Sequence, residues 1–174
     1  PRHGKSETCS YWFPTWLYAL WPNTKIISAS YGFSLVRRQG YRVREALSSL
    51  SLGANLAKGS KAAADWTTTD GGEFFAAGVG GGVTGRGADF LIMDDVVSGS
   101  KEAASPVIQA RNWKWWNEDF RTRLNKHGRG GLGGGILAVG TRWNENDLLG
   151  MLLQAFNAGP GAQGYEPWTI LSLP

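Results

Sequence analysis

The chain has 174 residues, 42% of them hydrophobic and 18% charged, which is the length of one domain and too apolar for a disordered tail. No apolar run is long enough to span a membrane, and one cysteine with two distant histidines argues against a disulfide framework or a Cys/His metal cluster. The net charge of +4 is unevenly spread: residues 1–64 carry nine Lys/Arg against two Asp/Glu, and residues 65–110 carry two against seven. A basic first third ahead of an acidic middle suits a protein that holds an anion at one place and a cation at another.

Residues 1–6 read as a loop. Residues 7–20 predict a helix with Trp12, Trp16 and Leu20 recurring every four residues on a bulky apolar face, and Pro14 marking a kink or boundary. Residues 25–31 predict a buried strand and residues 33–49 a second helix. Residues 66–77 predict a hairpin turning at Asp70-Gly71-Gly72. A glycine-rich loop, residues 78–87, then feeds an apolar strand at 90–95 that ends in two carboxylates. Residues 106–124 predict a helix with Trp113, Trp116, Phe120 and Leu124 on one face, followed by a loose glycine linker at 128–135. A strand at 136–141, a helix at 147–155 and a last strand at 168–173 complete the chain. Strands alternating with helices indicate an α/β domain around a largely parallel sheet, and the tryptophans read as core rather than as a base-stacking platform.

Three segments carry chemistry. In Gly4-Lys5-Ser6 the glycine lets the backbone approach phosphate oxygens, the ammonium reaches the terminal phosphates and the hydroxyl can bind Mg²⁺. Asp94 and Asp95 end a buried strand, where a nucleotide hydrolase needs one carboxylate for Mg²⁺ and a second to orient the attacking water; an exposed Asp-Asp turn is the plainer alternative. Thr141 ends the next predicted strand, and strand ends on one edge of a parallel sheet line the ligand crevice. Arg86, on a flexible glycine loop, can swing into place to stabilise transition-state charge, or else pair with Asp89 or stay exposed. Arg38 and Arg42 are like charges one helical turn apart that call for an anion, either DNA phosphate or a nearby acidic residue.

Residues 1–7, Ile27-Ser-Ala-Ser-Tyr31, the loop from Gly78 to Asp89, Leu91-Ile-Met-Asp94-Asp95 and the stretch from Gly140 to Gly150 together resemble, in family order, the ATPase domain of the terminase large subunit of tailed bacteriophages. The resemblance implies a P-loop NTPase fold of the additional-strand type, a largely parallel central sheet flanked by helices, with residues 1–174 forming a partial ATPase domain. The strand ahead of the phosphate loop and the family's C-terminal ribonuclease-H-like nuclease would lie outside these residues. The implied activity is hydrolysis of ATP, with Mg²⁺, to drive double-stranded viral DNA into a preformed capsid. The implied partners are that DNA, the portal protein and procapsid, the small terminase subunit and further copies of the chain in a ring. Work in the host-cell cytoplasm, at the procapsid portal and without a membrane, follows from the same likeness.

By position, Gly4, Lys5 and Ser6 match the phosphate-binding Walker A loop, Ser6 being a Mg²⁺ ligand, and Arg2 matches a loop arginine near the phosphates. Asp94 matches the Walker B aspartate, the second Mg²⁺ ligand. Asp95 stands where many family members have glutamate as the water-orienting base; one methylene shorter, it works through a shifted water or leaves the role to another residue. Arg86 corresponds to the arginine that reaches a neighbouring subunit's nucleotide, and Thr141 to the motif coupling hydrolysis to DNA movement. Two other readings remain open. A helicase-type DNA translocase would need a second core domain, and Gly140-Thr-Arg-Trp143 fits the terminase pattern better. An incomplete coding fragment would have no independent activity.

Overall fold

A computed structural model of the chain describes residues 4–60, 62–125 and 134–172. Five strands form one sheet: β1 (Lys25–Ser30), β2 (Asp65–Thr67), β3 (Glu73–Gly78), β4 (Phe90–Asp94) and β5 (Gly135–Val139), in the order β2-β3-β1-β4-β5. β1 pairs in parallel with both β3 and β4, and β4 with β5; only the β2–β3 hairpin is antiparallel. The fold is therefore mixed α/β with a mostly parallel sheet, as the alternation of elements predicts.

Parallel strands are covered on both faces, and alternate residues divide the core in two. Ile27, Ala29, Leu91 and Met93 face a cluster built by α5 (Pro106–Trp115), the π-helical turn Trp116–Phe120 and α6 (Leu148–Ala158), through Trp115, Trp116, Phe120, Leu148 and Leu152. Ile26, Ile92 and Phe74 face Leu17 and Tyr18 of α2 (Phe13–Leu20) and Val36, Val43 and Leu47 of α3 (Phe33–Leu50). Gly40 is in α3 because there is no room for a side chain: a Cβ there would stand 2.5 Å from the Phe74 ring and 2.6 Å from the Ala63 carbonyl oxygen. The hairpin turns where expected, with Thr68 donating its amide to Gly72 and accepting the Gly72 amide on its hydroxyl.

The N-terminal helical run begins with α1 (Lys5–Glu7), continues through a π-helical turn, Thr8–Trp12, and ends as α2, with Pro14 in its first turn. Its inward stripe is Ser10, Pro14, Leu17 and Tyr18, whereas Trp12, Trp16 and Leu20 are 48%, 51% and 50% exposed. The expected apolar face is thus the wrong one. At 3.6 residues per turn a four-residue step drifts about 40° around the helix, whereas mixed steps of three and four stay on one face. The tryptophans accordingly divide: Trp66, Trp115 and Trp116 are core, and Trp12, Trp16 and Trp143 are half exposed.

The helix expected over 106–124 is broken into α5, the π-helical turn and a 3₁₀ turn, Arg121–Arg123, which brings both Trp115 and Trp116 inward. No strand forms over 168–172. Arg121 binds the Tyr165 carbonyl and pairs with Glu166, and Trp168 packs against Trp116, so the segment is held beside the helices rather than at the sheet edge. The predicted glycine linker lies largely outside the described residues. Among the described residues no helix is long and apolar enough to cross a membrane.

Candidate functional site

The C-terminal ends of β1, β4 and β5 lie side by side in the sheet and face the start of the N-terminal helical run. Gly4 adopts a left-handed conformation, φ 73°, and its carbonyl accepts the Thr8 amide, turning the chain into the helix. The Ser6 hydroxyl donates to Asp94 Oδ1 at 3.0 Å across 88 residues of sequence. Lys5 Nζ donates to the Gly140 carbonyl at 3.4 Å, just beyond the end of β5. Lys5, Ser6 and Asp94, chosen from the sequence, are thus brought together. Arg2 lies outside the described residues.

Asp94 is only 8% exposed. Burial pushes its carboxyl above the usual range and the neighbouring Asp95 adds to this, while hydrogen bonds from Ser10 and Ser6 and the charge of Lys5 oppose it. Ser10 is one residue of the site that sequence reasoning missed. It is 2% exposed and donates to Asp94 Oδ2 at 2.7 Å from within the π-helical turn. A lone serine among aromatic residues carries no signal for such a contact.

Asp95 follows immediately with φ 47°, a left-handed conformation unusual for a residue with a side chain. Its amide donates to Val139, and its carbonyl accepts from the Tyr31 amide and, at 3.4 Å, from the Ser30 hydroxyl. These bonds hold the strained backbone between the ends of β1 and β5. A cavity of about 140 Å³ opens beside the two carboxylates, with Ser6, Ser10 and Ser30 also on its wall.

Thr141 is exposed in the loop after β5 rather than in the strand. That loop is gathered by buried Asp147, which accepts the amides of Trp143, Asn144 and Gly150 and caps α6. Arg86 is not loose. Its guanidinium pairs with Asp65 at 2.7 and 3.2 Å and lies 4.1 Å over the Phe75 ring, while Asp89 accepts instead from the Lys25 amide and Asn125. The glycine loop is itself anchored by buried Val83 and by the Trp115 indole, which donates to the Gly81 carbonyl. Arg42 takes Glu7 as its anion at 2.6 and 2.7 Å and stacks on Tyr11; Arg37 and Arg38 are exposed.

Among the described residues no three His, Cys, Asp or Glu side chains converge to hold a metal alone. One carboxylate and one hydroxyl, Asp94 and Ser6, are a hard-oxygen pair of the kind that holds Mg²⁺ when substrate phosphates and water complete the octahedron. No protein-family model matches the sequence, and comparison with curated proteins gives no match. Among solved structures the chain is similar to the large terminase of bacteriophage HK97, at 18% identity and a TM-score of 0.43 over 78% of this chain. It spans 26% of that protein's length.

Proposed function

We propose that this chain is the core of an ATPase domain of the P-loop, additional-strand type, belonging to a terminase-like large subunit that uses ATP hydrolysis to move double-stranded DNA into a preformed capsid. The observation that carries the reading is the bond from Ser6 to Asp94, with Lys5 reaching the end of β5 beside it. Two segments chosen for phosphate and Mg²⁺ chemistry, far apart in sequence, meet at one end of a parallel sheet, where α/β folds bind ligands. The order of the motifs along the chain selects DNA packaging among the nucleotide-driven translocases.

In this reading Gly4 and Lys5 embrace the phosphates, with Arg2 nearby, and Ser6 and Asp94 hold Mg²⁺. Bound there, Mg²⁺ would neutralise charge on the terminal phosphates. Asp95 orients the attacking water, Thr141 couples hydrolysis to movement, and Arg86 serves a neighbouring subunit in a ring. Portal, procapsid and small subunit are the partners this function requires.

The test is Lys5→Ala in the full-length protein. Removing the cation at the terminal phosphates should abolish Mg·ATP turnover, and DNA stimulation with it. Undiminished turnover by that variant would eliminate the phosphate-loop assignment.

A further inference from the structure

Gln39 lies on α3 beside the stripe formed by Val36, Gly40 and Val43 that packs on the sheet. Its side chain reaches the wall of the same cavity of about 140 Å³ that Asp94 and Asp95 line. The amide oxygen Oε1 is buried and accepts no hydrogen bond from any described residue, so a turn of the side chain is what would bring it to the cavity. Buried acceptors are nearly always satisfied, so an orphaned one beside a reactive carboxylate calls for a donor brought by a ligand. Asp95 lines the same space, along with Asp94, Ser6, Ser10 and Ser30, and its backbone is fixed in its strained conformation by Val139 and Tyr31. A water molecule has two protons to donate and a lone pair left to attack with, which suits two acceptor-bearing side chains on the wall of one cavity.

We propose that Gln39 Oε1 and the Asp95 carboxylate together hold the nucleophilic water against the terminal phosphoryl group. This rests on the nucleotide-hydrolase reading and names the residue that compensates for an aspartate at the base position. The water oxygen forms a bond to the terminal phosphorus, and the bond from phosphorus to the bridging oxygen breaks, its electron pair leaving on the nucleoside diphosphate. One water proton passes to Asp95 and on to solvent; the other stays on the inorganic phosphate. An amide oxygen cannot take that proton at neutral pH, so Gln39 aligns the water and Asp95 accepts. The two side chains come from different elements, α3 and the end of β4, so the water's position depends on how these two are packed.

The experiment uses the full-length protein and two variants. Gln39→Met keeps length and removes the acceptor; Gln39→Glu keeps an acceptor. Steady-state Mg·ATP hydrolysis and equilibrium binding of a non-hydrolysable ATP analogue are measured for each. Gln39→Met should lose about 10²-fold in kcat, the scale of a misplaced reactant, with the analogue's Kd changed less than twofold. Gln39→Glu should recover part of that loss, and Gln39→Met combined with Asp95→Asn should be hardly slower than the worse single variant, since both act on one water. Retained analogue binding shows that each variant is folded. Parental kcat in Gln39→Met while Lys5→Ala is inactive overturns this inference alone. A weakened Kd with unchanged kcat does the same. Failure of the parental protein to bind Mg·ATP overturns the hydrolase reading and this inference with it.

Discussion

Asp94 sits in a poor place for a charge, buried and next to a second carboxylate, with two serine hydroxyls as its hydrogen-bond donors. In the proposed reading Ser6 and Asp94 would hold Mg²⁺, whose charge would offset the cost of burying the carboxylate. Asp95, held by backbone bonds and open to the cavity, has no such duty. The two should therefore separate in a binding experiment. Asp94→Asn should remove most of the Mg²⁺-dependent part of ATP binding, whereas Asp95→Asn should bind Mg·ATP within twofold of the parent and turn it over at least about 10²-fold more slowly. Titrations with and without Mg²⁺, beside a steady-state assay, check both; parental turnover in Asp95→Asn would move the base elsewhere. Lys5, Ser6, Asp94 and Asp95 were legible in the sequence because each belongs to a short segment whose residue types already imply phosphate or metal chemistry. Ser10 and Gln39 were not, since their meaning comes only from what lies across the cavity. The partner of Arg86 was hidden for a related reason: the β2–β3 register sets Asp65 opposite Phe75, the ring on which the guanidinium rests.

Elements were read well where one period dominates and poorly where two apolar stripes compete. β1, β3 and β4 are short apolar runs with no rival reading, and the Asp70-Gly71-Gly72 turn has its own chemistry. The N-terminal helix offered both a tryptophan row and the Pro14–Leu17–Tyr18 row, and only packing against α3 and the sheet decides between them. Similar packing explains Gly40, where helix propensity alone favours alanine by about 1 kcal/mol. Gly40→Ala would push a Cβ into the Phe74 ring and the Ala63 carbonyl. The carbonyl is backbone and cannot swing aside, so the variant should lose about 1–3 kcal/mol by denaturant unfolding despite its better propensity. At α4 (Ser100–Ala103) the Glu102 carboxylate accepts the Ser98 amide at 2.7 Å, and hydrogen bonds from Ser98 hold its carboxyl below the usual range, with Arg111 assisting. A depressed carboxyl stabilises the fold above its unfolded value and loses that contribution as pH falls through the folded one. Glu102→Gln should therefore melt lower than the parent at neutral pH, and the gap should close below the carboxylate range.

At the scale of the whole molecule, both faces of the sheet are covered by helices and the candidate site lies at one end of the strands, leaving the Arg86 loop to connect β3 with β4. Arg86 and Asp65 are 33% and 44% exposed, so their pair is worth at most about 1 kcal/mol, and the Phe75 contact adds about 0.5–1 kcal/mol. An arginine finger gains about 10³–10⁵ in rate, roughly 4–7 kcal/mol of transition-state stabilisation. That stabilisation exceeds what holds the resting pair, so in the proposed ring a neighbouring subunit's developing phosphate charge would draw Arg86 away from Asp65. Arg86→Ala should then bind ATP nearly normally and hydrolyse it slowly, while Asp65→Asn, which only loosens the resting position, should match or exceed parental turnover. A structural role for the pair would make the two variants equally damaging. Mixed rings decide the matter. An interface that joins the intact site of an Arg86→Ala subunit to the intact arginine of a Lys5→Ala subunit has every group needed, so mixing two inactive proteins should restore part of the ATPase activity. Verified mixed rings that stay inactive would leave Arg86 as a brace between the loop and the β2–β3 hairpin.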